Sequence, residues 1–216
     1  AFFNAQNKYC VELYSKTKIK KVLYGQAASF RGEENLLGAV AVAKELGMAD
    51  EEIAETLTGI DVSFPGAKIQ KSKDGFTVIE ATYSANPDGV MAALEYLKKQ
   101  AGKKIIVMPC LIELGRASKN VHKAIGAKIA EACDLAIITT KDRFEDIKEA
   151  ASAEASASQR KVEVVYMENS EEIVEKIKST TSAGLPAEAL AKAGDVVLLE
   201  GRIPSRVLTL LTRDPD

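Results

Sequence analysis

From residue 76 onward, short apolar segments alternate regularly with helix-like segments, and this alternation restricts the possible folds more than any other feature. The predicted strands cover 76–81, 103–108, 135–140, 161–167 and 195–200. The predicted helices cover 88–100, 118–133, 143–155, 170–179 and 204–212. Strands that alternate with helices of this length predict βαβ units with right-handed crossovers. The fold class is therefore α/β, with a mostly parallel sheet.

The N-terminal part of the chain lacks this regularity. Residues 9–14 and 18–25 are β-rich and alternating, which predicts two strands. An alanine-rich helix begins at Glu33 and is stopped by Gly47, because glycine favours the left-handed conformation that ends helices. A second short helix follows, and Asp50 is its expected N-cap.

Residues 59–75 contain glycines, a proline and mixed charges, which predicts a linker. We therefore expect two domains, 1–62 and 63–216. In the second domain, Asp88 and Ser170 are the expected N-caps of the helices that begin near them.

Composition excludes several classes of protein. The chain has 216 residues, a net charge of −2 and 28% charged residues, so nothing favours a nucleic-acid or membrane-surface partner. The apolar runs are too short to cross a bilayer. Three widely spaced cysteines predict reduced core thiols and a cytoplasmic location. Because the sequence opens at Ala1 without Met, we expect a segment of a longer protein.

Three predicted strands end in polar loops, at 80–88, 108–115 and 198–204. The carboxyl ends of parallel strands share one edge of a sheet, so these loops should lie on one rim that can hold a polar small molecule. An alternative is that Asn86-Pro87-Asp88 serves only as a turn and helix cap. No nucleotide-binding fingerprint is complete, and the single histidine, His122, lacks partners at metal-ligand spacing.

The loops, in this order, resemble those of the Mur ligases, in particular the branch that adds D-alanyl-D-alanine in peptidoglycan synthesis. The resemblance covers about residues 30 to 216. The segments that carry it are RGEENLLGAVAVAKELGMADEEIAETL, VIEATYSANPDGVMAALEYL, KKIIVMPCLIELG and GDVVLLEGRIP.

The resemblance implies an ATP-dependent amide ligase. In that reaction a carboxylate of a UDP-linked muramyl peptide becomes an acyl phosphate, Mg²⁺ neutralises the phosphates, and the amine of a dipeptide attacks. The chain would comprise the end of the central ATP-binding α/β domain and the complete, Rossmann-like C-terminal domain of a monomeric cytoplasmic enzyme. The catalytic residues are expected upstream of Ala1, so the chain alone should be inactive.

The resemblance also implies site residues. Expected nucleotide contacts come from a helix of the first domain, from the linker and from the end of the first strand of the second domain: Asn35, Lys68, Glu80 and Thr82. Expected substrate contacts come from the loops that follow two strands: Tyr83, Ser84, Asn86, Pro87 and Glu113.

Several positions depart from the family pattern. Glu34 replaces a histidine, Gly38 an asparagine, Lys68 an arginine, Ala81 an aspartate and Glu200 a lysine. Lysine keeps the charge of arginine but loses its bidentate fork. Two alternatives therefore stay open: another amide ligase of the superfamily, of the folylpolyglutamate or cyanophycin synthetase type, or a non-catalytic binding module.

Overall fold

A computed structural model describes residues 1–25, 33–59, 67–83, 85–182 and 194–212. The chain divides into two compact units, Ala1–Pro65 and Gly66–Asp216. The division falls within residues 60–66, which lie outside the described residues, so the limits 1–62 and 63–216 stay a prediction. Each unit is described by itself below.

In its described residues, 1–25 and 33–59, the first unit has two short parallel strands and three helices. Its elements are β1 (Phe2–Asn4), α1 (Lys8–Lys16), β2 (Val22–Tyr24), α2 (Glu33–Glu45) and α3 (Asp50–Thr58). β1 pairs with β2 in parallel, and α1 connects them. The predicted end of α2 is confirmed, because Gly47 has a φ of +89° just after the helix.

The strand predicted over residues 9–14 is wrong, because this segment is part of α1. Asn7 caps the helix: its Oδ1 accepts hydrogen bonds from the backbone N–H groups of Tyr9 at 3.0 Å and Cys10 at 3.2 Å. The Tyr14 ring then packs edge-on against Phe3, with the ring centroids 5.8 Å apart. A six-residue alternation does not separate strand from helix, and here the cap and the ring contact favour the helix.

The second unit is built on a six-stranded sheet. Its strands are β3 (Lys68–Lys71), β4 (Thr77–Ala81), β5 (Lys104–Met108), β6 (Leu135–Ile138), β7 (Glu163–Tyr166) and β8 (Val196–Glu200). The spatial order is β3-β4-β8-β5-β6-β7. Among the strands of the described residues, only β3 is antiparallel to its neighbour, so the predicted mostly parallel α/β sheet is confirmed.

The linker predicted over 59–75 is wrong in its second half, because β3 lies within it. The turn between β3 and β4 is closed by two hydrogen bonds, from Gly75 N–H to the Ser72 carbonyl at 3.1 Å and from Ser72 N–H to the Phe76 carbonyl at 2.9 Å. β3 is an edge strand with a largely exposed surface. Such strands tolerate charged residues, which is why the segment has the composition of a linker.

Five helices and a short 3₁₀ helix at Gly115–Ala117 complete the second unit as described. The helices are α4 (Pro87–Lys98), α5 (Ser118–Ala132), α6 (Phe144–Ser158), α7 (Ser170–Thr180) and α8 (Ser205–Thr212). From residue 76 onward, the predicted strands and helices agree with the observed ones to within three residues at each end. Within the described parts of the chain, no helix combines the length and the apolar character that crossing a membrane requires.

The connections place the helices on two faces of the sheet. The steps from β4 to β5, β6 and β7 run in one direction across the sheet, and the step from β7 to β8 runs back. Right-handed crossovers therefore put α4, α5 and α6 on one face and α7 on the other. α8 packs beside α7, and Val207 and Leu211 of α8 join the apolar core on that face.

Small residues let α5 approach α6 closely. A Cβ atom added to Gly126 of α5 would lie 2.3 Å from the carbonyl oxygen of Ile147 in α6. Ala130, Ala151 and Ala155 continue the contact as a buried cluster. The absence of a side chain at Gly126 is therefore a packing requirement.

The predicted N-caps are wrong at three helices, because each cap lies one or two residues earlier. Asn86 caps α4, and its Oδ1 accepts from Gly89 N–H at 2.9 Å. Asn169 caps α7 and accepts from the N–H groups of Glu171 and Glu172 at 2.9 and 3.1 Å. At α3 the cap is Ala49, which has no side-chain acceptor; its N–H donates to the Glu52 carboxylate at 3.1 Å. Asp50, Asp88 and Ser170 lie inside the first turns instead.

Candidate functional site

An open cleft lies at the carboxyl edge of the sheet, between the loops that follow β5 and β6. Its volume is about 500 Å³. The lining residues come from the β5 loop, the start of α5 and the β6 loop: Cys110, Leu111, Ile112, Glu113, Leu114, Gly115, Ser118, Asp142 and Arg143. This edge is where open α/β sheets bind ligands.

Hydrogen bonds join the two loops at the base of the cleft. Cys110 N–H donates to Thr140 Oγ1 at 2.8 Å, and the Cys110 thiol donates to the Thr140 carbonyl at 3.4 Å. Arg143 N–H donates to Cys110 Sγ, also at 3.4 Å. Cys110 is 4% exposed, so this cysteine holds the loops together.

His122 lies in the core and contacts the cleft from below. The ring is fully buried, and its Nε2 accepts from Leu111 N–H at 2.9 Å. Its Nδ1 lies 2.7 Å from the Ser118 carbonyl, which has only acceptor capacity. The pair of bonds therefore assigns the neutral tautomer with the proton on Nδ1.

The cleft carries charged groups of both signs. Arg143 Nε donates to Ser118 Oγ at 3.2 Å, and its Nη1 pairs with Asp146 at 3.3 Å. The Arg143 side chain remains 41% exposed. Glu113 is exposed on the facing loop, and its φ of +62° is in the left-handed region that non-glycine residues rarely adopt.

The expected nucleotide contacts divide between the two units. Lys68 lies directly opposite Glu80 in the β3–β4 pair, and the Thr82 hydroxyl donates to Glu80 Oε1 at 3.3 Å. Asn35 is an exposed residue of α2 in the first unit. The structure thus brings Lys68, Glu80 and Thr82 together.

The expected substrate contacts lie on two loops. Tyr83, 91% exposed, Asn86 and Pro87 follow β4, whereas Glu113 lies in the cleft after β5. Ser84 lies outside the described residues. Asn86 and Pro87 also have a structural role, because Asn86 caps α4 and Pro87 is its first residue.

At Gly201 the three polar loops are in contact, which goes beyond the expectation that they lie on one rim. It has a φ of +69°, and an added Cβ would lie 2.9 Å from Ala85 Cβ and 3.4 Å from Pro109 Cδ. The loops after β4, β5 and β8 are therefore in contact at Gly201.

Glu200, the last residue of β8, lies beside this contact. It is 4% exposed and is paired in register with Ala81. Burial raises the pKa of its carboxyl group to about 7, because the charged form loses hydration. Among the described residues, no hydrogen bond or ion pair to this carboxyl group compensates for its burial.

The described residues contain no group of three or more histidine, cysteine, aspartate or glutamate side chains that could hold a metal ion. Cys133 is fully buried, and burial raises the pKa of its thiol. This thiol is therefore unreactive.

Three residues of the cleft lie outside the polar loops predicted from the sequence: Ser118, Asp142 and Arg143. A signal existed for Arg143, because it follows the run LAIITT, which is a predicted strand. The pairing of β5 with β6 shows why this arginine faces the β5 loop.

Residues 67–203 match the family described as "Mur ligase, glutamate ligase domain". The chain belongs to the Mur ligase family. A UDP-N-acetylmuramoyl-tripeptide--D-alanyl-D-alanine ligase of Bacillus subtilis is 31% identical over 98 residues, which cover 44% of this chain and 21% of that enzyme. The match thus spans about a fifth of the length of that relative.

Solved structures show the same fold. MurF from Acinetobacter baumannii superposes with a TM-score of 0.65 at 19% identity, covering 97% of this chain and 50% of that one. MurF ligase from Thermotoga maritima, in complex with ADP, gives a TM-score of 0.59 at 22% identity, covering 82% of this chain and 37% of that one. The chain is thus a Mur ligase family member, and it resembles the C-terminal portion of MurF.

Proposed function

We propose that the chain is a portion of an ATP-dependent peptide ligase of peptidoglycan precursor synthesis. The whole protein would add a dipeptide of the D-alanyl-D-alanine type to a UDP-muramyl peptide through an acyl phosphate. The names of its relatives support this reaction. The proposal includes a monomeric cytoplasmic enzyme with small-molecule substrates, in which residues 1–62 end the ATP-binding domain and 63–216 form the C-terminal domain.

The cleft between the β5 and β6 loops carries the proposal. A free dipeptide is a zwitterion, with an ammonium group at one end and a carboxylate at the other. The cleft is lined by the Arg143 guanidinium and the Glu113 carboxylate, and its volume of about 500 Å³ accommodates a dipeptide. Arginine suits the carboxylate end, because its planar fork donates two parallel hydrogen bonds. We assign Glu113 to the ammonium end.

The residues at the end of β4 suit one part of a nucleotide. The Glu80 carboxylate and the Thr82 hydroxyl, 3.3 Å apart, have the chemistry that binds the hydroxyl groups of a ribose. The exposed Lys68 ammonium opposite them can reach a phosphate oxygen. ATP and Mg²⁺ would supply the phosphoryl group and its charge neutralisation. Asn35, Tyr83, Ser84, Asn86 and Pro87 stay predicted contacts.

Calorimetric titration of the chain with D-alanyl-D-alanine tests the acceptor site. We expect millimolar or tighter binding, about −4 kcal/mol or better. N-Acetylation removes the ammonium group, and reduction of the terminal carboxylate to an alcohol removes the anion, so each modified dipeptide should bind at least roughly tenfold more weakly, about 1.4 kcal/mol. Free glutamate is the competing ligand expected for a ligase of the folylpolyglutamate type.

Arg143→Gln should abolish the discrimination between the dipeptide and its alcohol. Arg206→Gln is the matched control, because Arg206 is an exposed arginine of α8 that is absent from the cleft lining. Equal affinity of the unaltered chain for the dipeptide and both modified forms would refute the assignment of Arg143 and Glu113. Tighter binding of glutamate would favour an acceptor amino acid over a dipeptide.

A further inference from the structure

The segment from Leu111 to Ser118 forms one wall of the cleft, and a single buried side chain holds both of its ends. Leu111 N–H donates to His122 Nε2 at 2.9 Å, and His122 Nδ1–H donates to the Ser118 carbonyl at 2.7 Å. Both bonded residues line the cleft. The imidazole therefore closes the base of the loop that carries Glu113.

Because His122 is buried, its two hydrogen bonds explain why a histidine occupies this position and not an apolar residue. The ring is 0% exposed in the second turn of α5, where the buried neighbours on the same helix are apolar, such as Ile125 and Ile129. A buried imidazole is unfavourable unless both ring nitrogens are hydrogen-bonded, and here both are. A leucine would fill this core position, but it would leave the buried Leu111 N–H without an acceptor.

The bonds of His122 connect the two charged sides of the cleft. Its ring holds the loop of Glu113 at Leu111 and holds Ser118, whose hydroxyl accepts from Arg143 Nε at 3.2 Å. The loop itself contains two residues in the left-handed region, Glu113 and Gly115, with φ values of +62° and +51°. Backbone in this region persists only where surrounding contacts fix it.

We propose that His122 is a positioning residue of the acceptor cleft, acting through its bond to Leu111 to fix the loop that presents Glu113. This inference rests on the proposed function for the identity of the ligand. The bond between His122 and Leu111 can nevertheless be measured without any ligand.

Two substitutions separate the two bonds of the ring. In His122→Gln the side-chain carbonyl extends to the region of Nε2 and can still accept from Leu111 N–H. In His122→Asn the shorter amide overlaps Nδ1 and can still donate to the Ser118 carbonyl, but it does not reach Leu111. Both remove a buried imidazole, so a purely structural role predicts similar losses of thermal stability and similar effects on binding.

The experiment measures the hydrogen exchange of the Leu111 amide by NMR and the Kd for D-alanyl-D-alanine by calorimetry. We expect the Leu111 amide to exchange roughly tenfold or more faster in His122→Asn than in the unaltered chain, and His122→Gln to restore its protection. The Cys110 amide, which donates to Thr140 Oγ1, is the internal control and should stay protected in all three proteins. The Kd should rise by roughly tenfold in His122→Asn and stay within about threefold in His122→Gln.

The positioning role is overturned if the Leu111 amide is equally protected in all three proteins. It is also overturned if His122→Asn loses this protection but binds the dipeptide as tightly as the unaltered chain. Failure of the unaltered chain to bind the dipeptide would refute the acceptor assignment instead, and the amide exchange would still decide whether His122 holds the loop.

Discussion

Glu200 gives the stability of the protein a pH dependence opposite to that of most carboxyl groups. Its burial at the end of β8 raises its pKa from the ordinary 4.5 to about 7. Between these two values the folded protein keeps a proton that the unfolded chain has released. The stability that the protonated Glu200 contributes is therefore fully present below about pH 4.5, and it is lost as the pH rises through 7.

The size of the effect follows from the same two values. Each tenfold difference in proton affinity corresponds to about 1.4 kcal/mol, so ionisation of Glu200 destabilises the fold by roughly 3 kcal/mol above pH 7. Glutamine has nearly the same shape as the protonated acid and does not ionise. Glu200→Gln should therefore match the unaltered protein near pH 4 and be more stable by up to roughly 3 kcal/mol at pH 8.

Urea unfolding of both proteins at several pH values between 4 and 8 measures this difference. Comparing the two proteins removes the contribution of the other carboxyl groups. Hydrogen bonds to Lys128 lower the pKa values of Glu95 and Glu131, for example, so these two groups make stability increase with pH. The comparison near pH 4 controls for any change in packing. A constant difference between the two proteins across this range would refute the argument that burial of Glu200 controls its ionisation.

The remaining predictions concern helix packing and capping. Gly126→Ala should reduce the free energy of unfolding by about 2 to 3 kcal/mol, because the new Cβ meets the Ile147 carbonyl oxygen at 2.3 Å. Gly89→Ala, the same change at a helical glycine whose Cβ would have ordinary contacts at 3.5 Å, should be neutral or stabilise by up to about 1 kcal/mol; equal destabilisation in both variants would contradict the packing argument. Asn86→Ala should destabilise by about 1 kcal/mol, because Gly89 N–H loses its acceptor, and Asn86→Asp should largely restore stability in the same urea titrations; no loss in Asn86→Ala would mean that the cap does not contribute.

The sequence predicts the buried elements of the second unit well, because strands covered on both faces are continuous apolar runs. β6 and β8 are buried at every position, and both were predicted. The errors fall on elements that bury little. β3 is mostly exposed and has no apolar run. α1 has no buried residue, and its exposed apolar side chains at Tyr9, Val11 and Leu13 alternate in sequence as they would in a strand.

The capping errors have a common cause. Each expected cap was a polar or acidic residue close to the apolar run, but the first turn of a helix also favours such residues because of the helix dipole. Asn86 and Asn169 precede the expected caps Asp88 and Ser170, and the structure shows that the asparagines hold the free N–H groups. Composition near a helix start thus indicates that a helix begins, whereas the hydrogen bond decides at which residue.

The contact of the β4, β5 and β8 loops at Gly201 depends on strand order, which local sequence patterns do not contain. β8 is the last strand in the chain, yet it lies between β4 and β5, which are consecutive. The loops after β4 and β5 lead to α4 and α5 on one face, whereas the loop after β8 leads to α8 on the other. Neighbouring loops therefore diverge at β8, and such a reversal is where open α/β sheets bind ligands. Glu200 ends this strand, so a carboxyl group with a raised pKa lies at the edge where the topology favours a binding site. The stability measured for Glu200→Gln therefore also reports the protonation state of a carboxyl group at that edge.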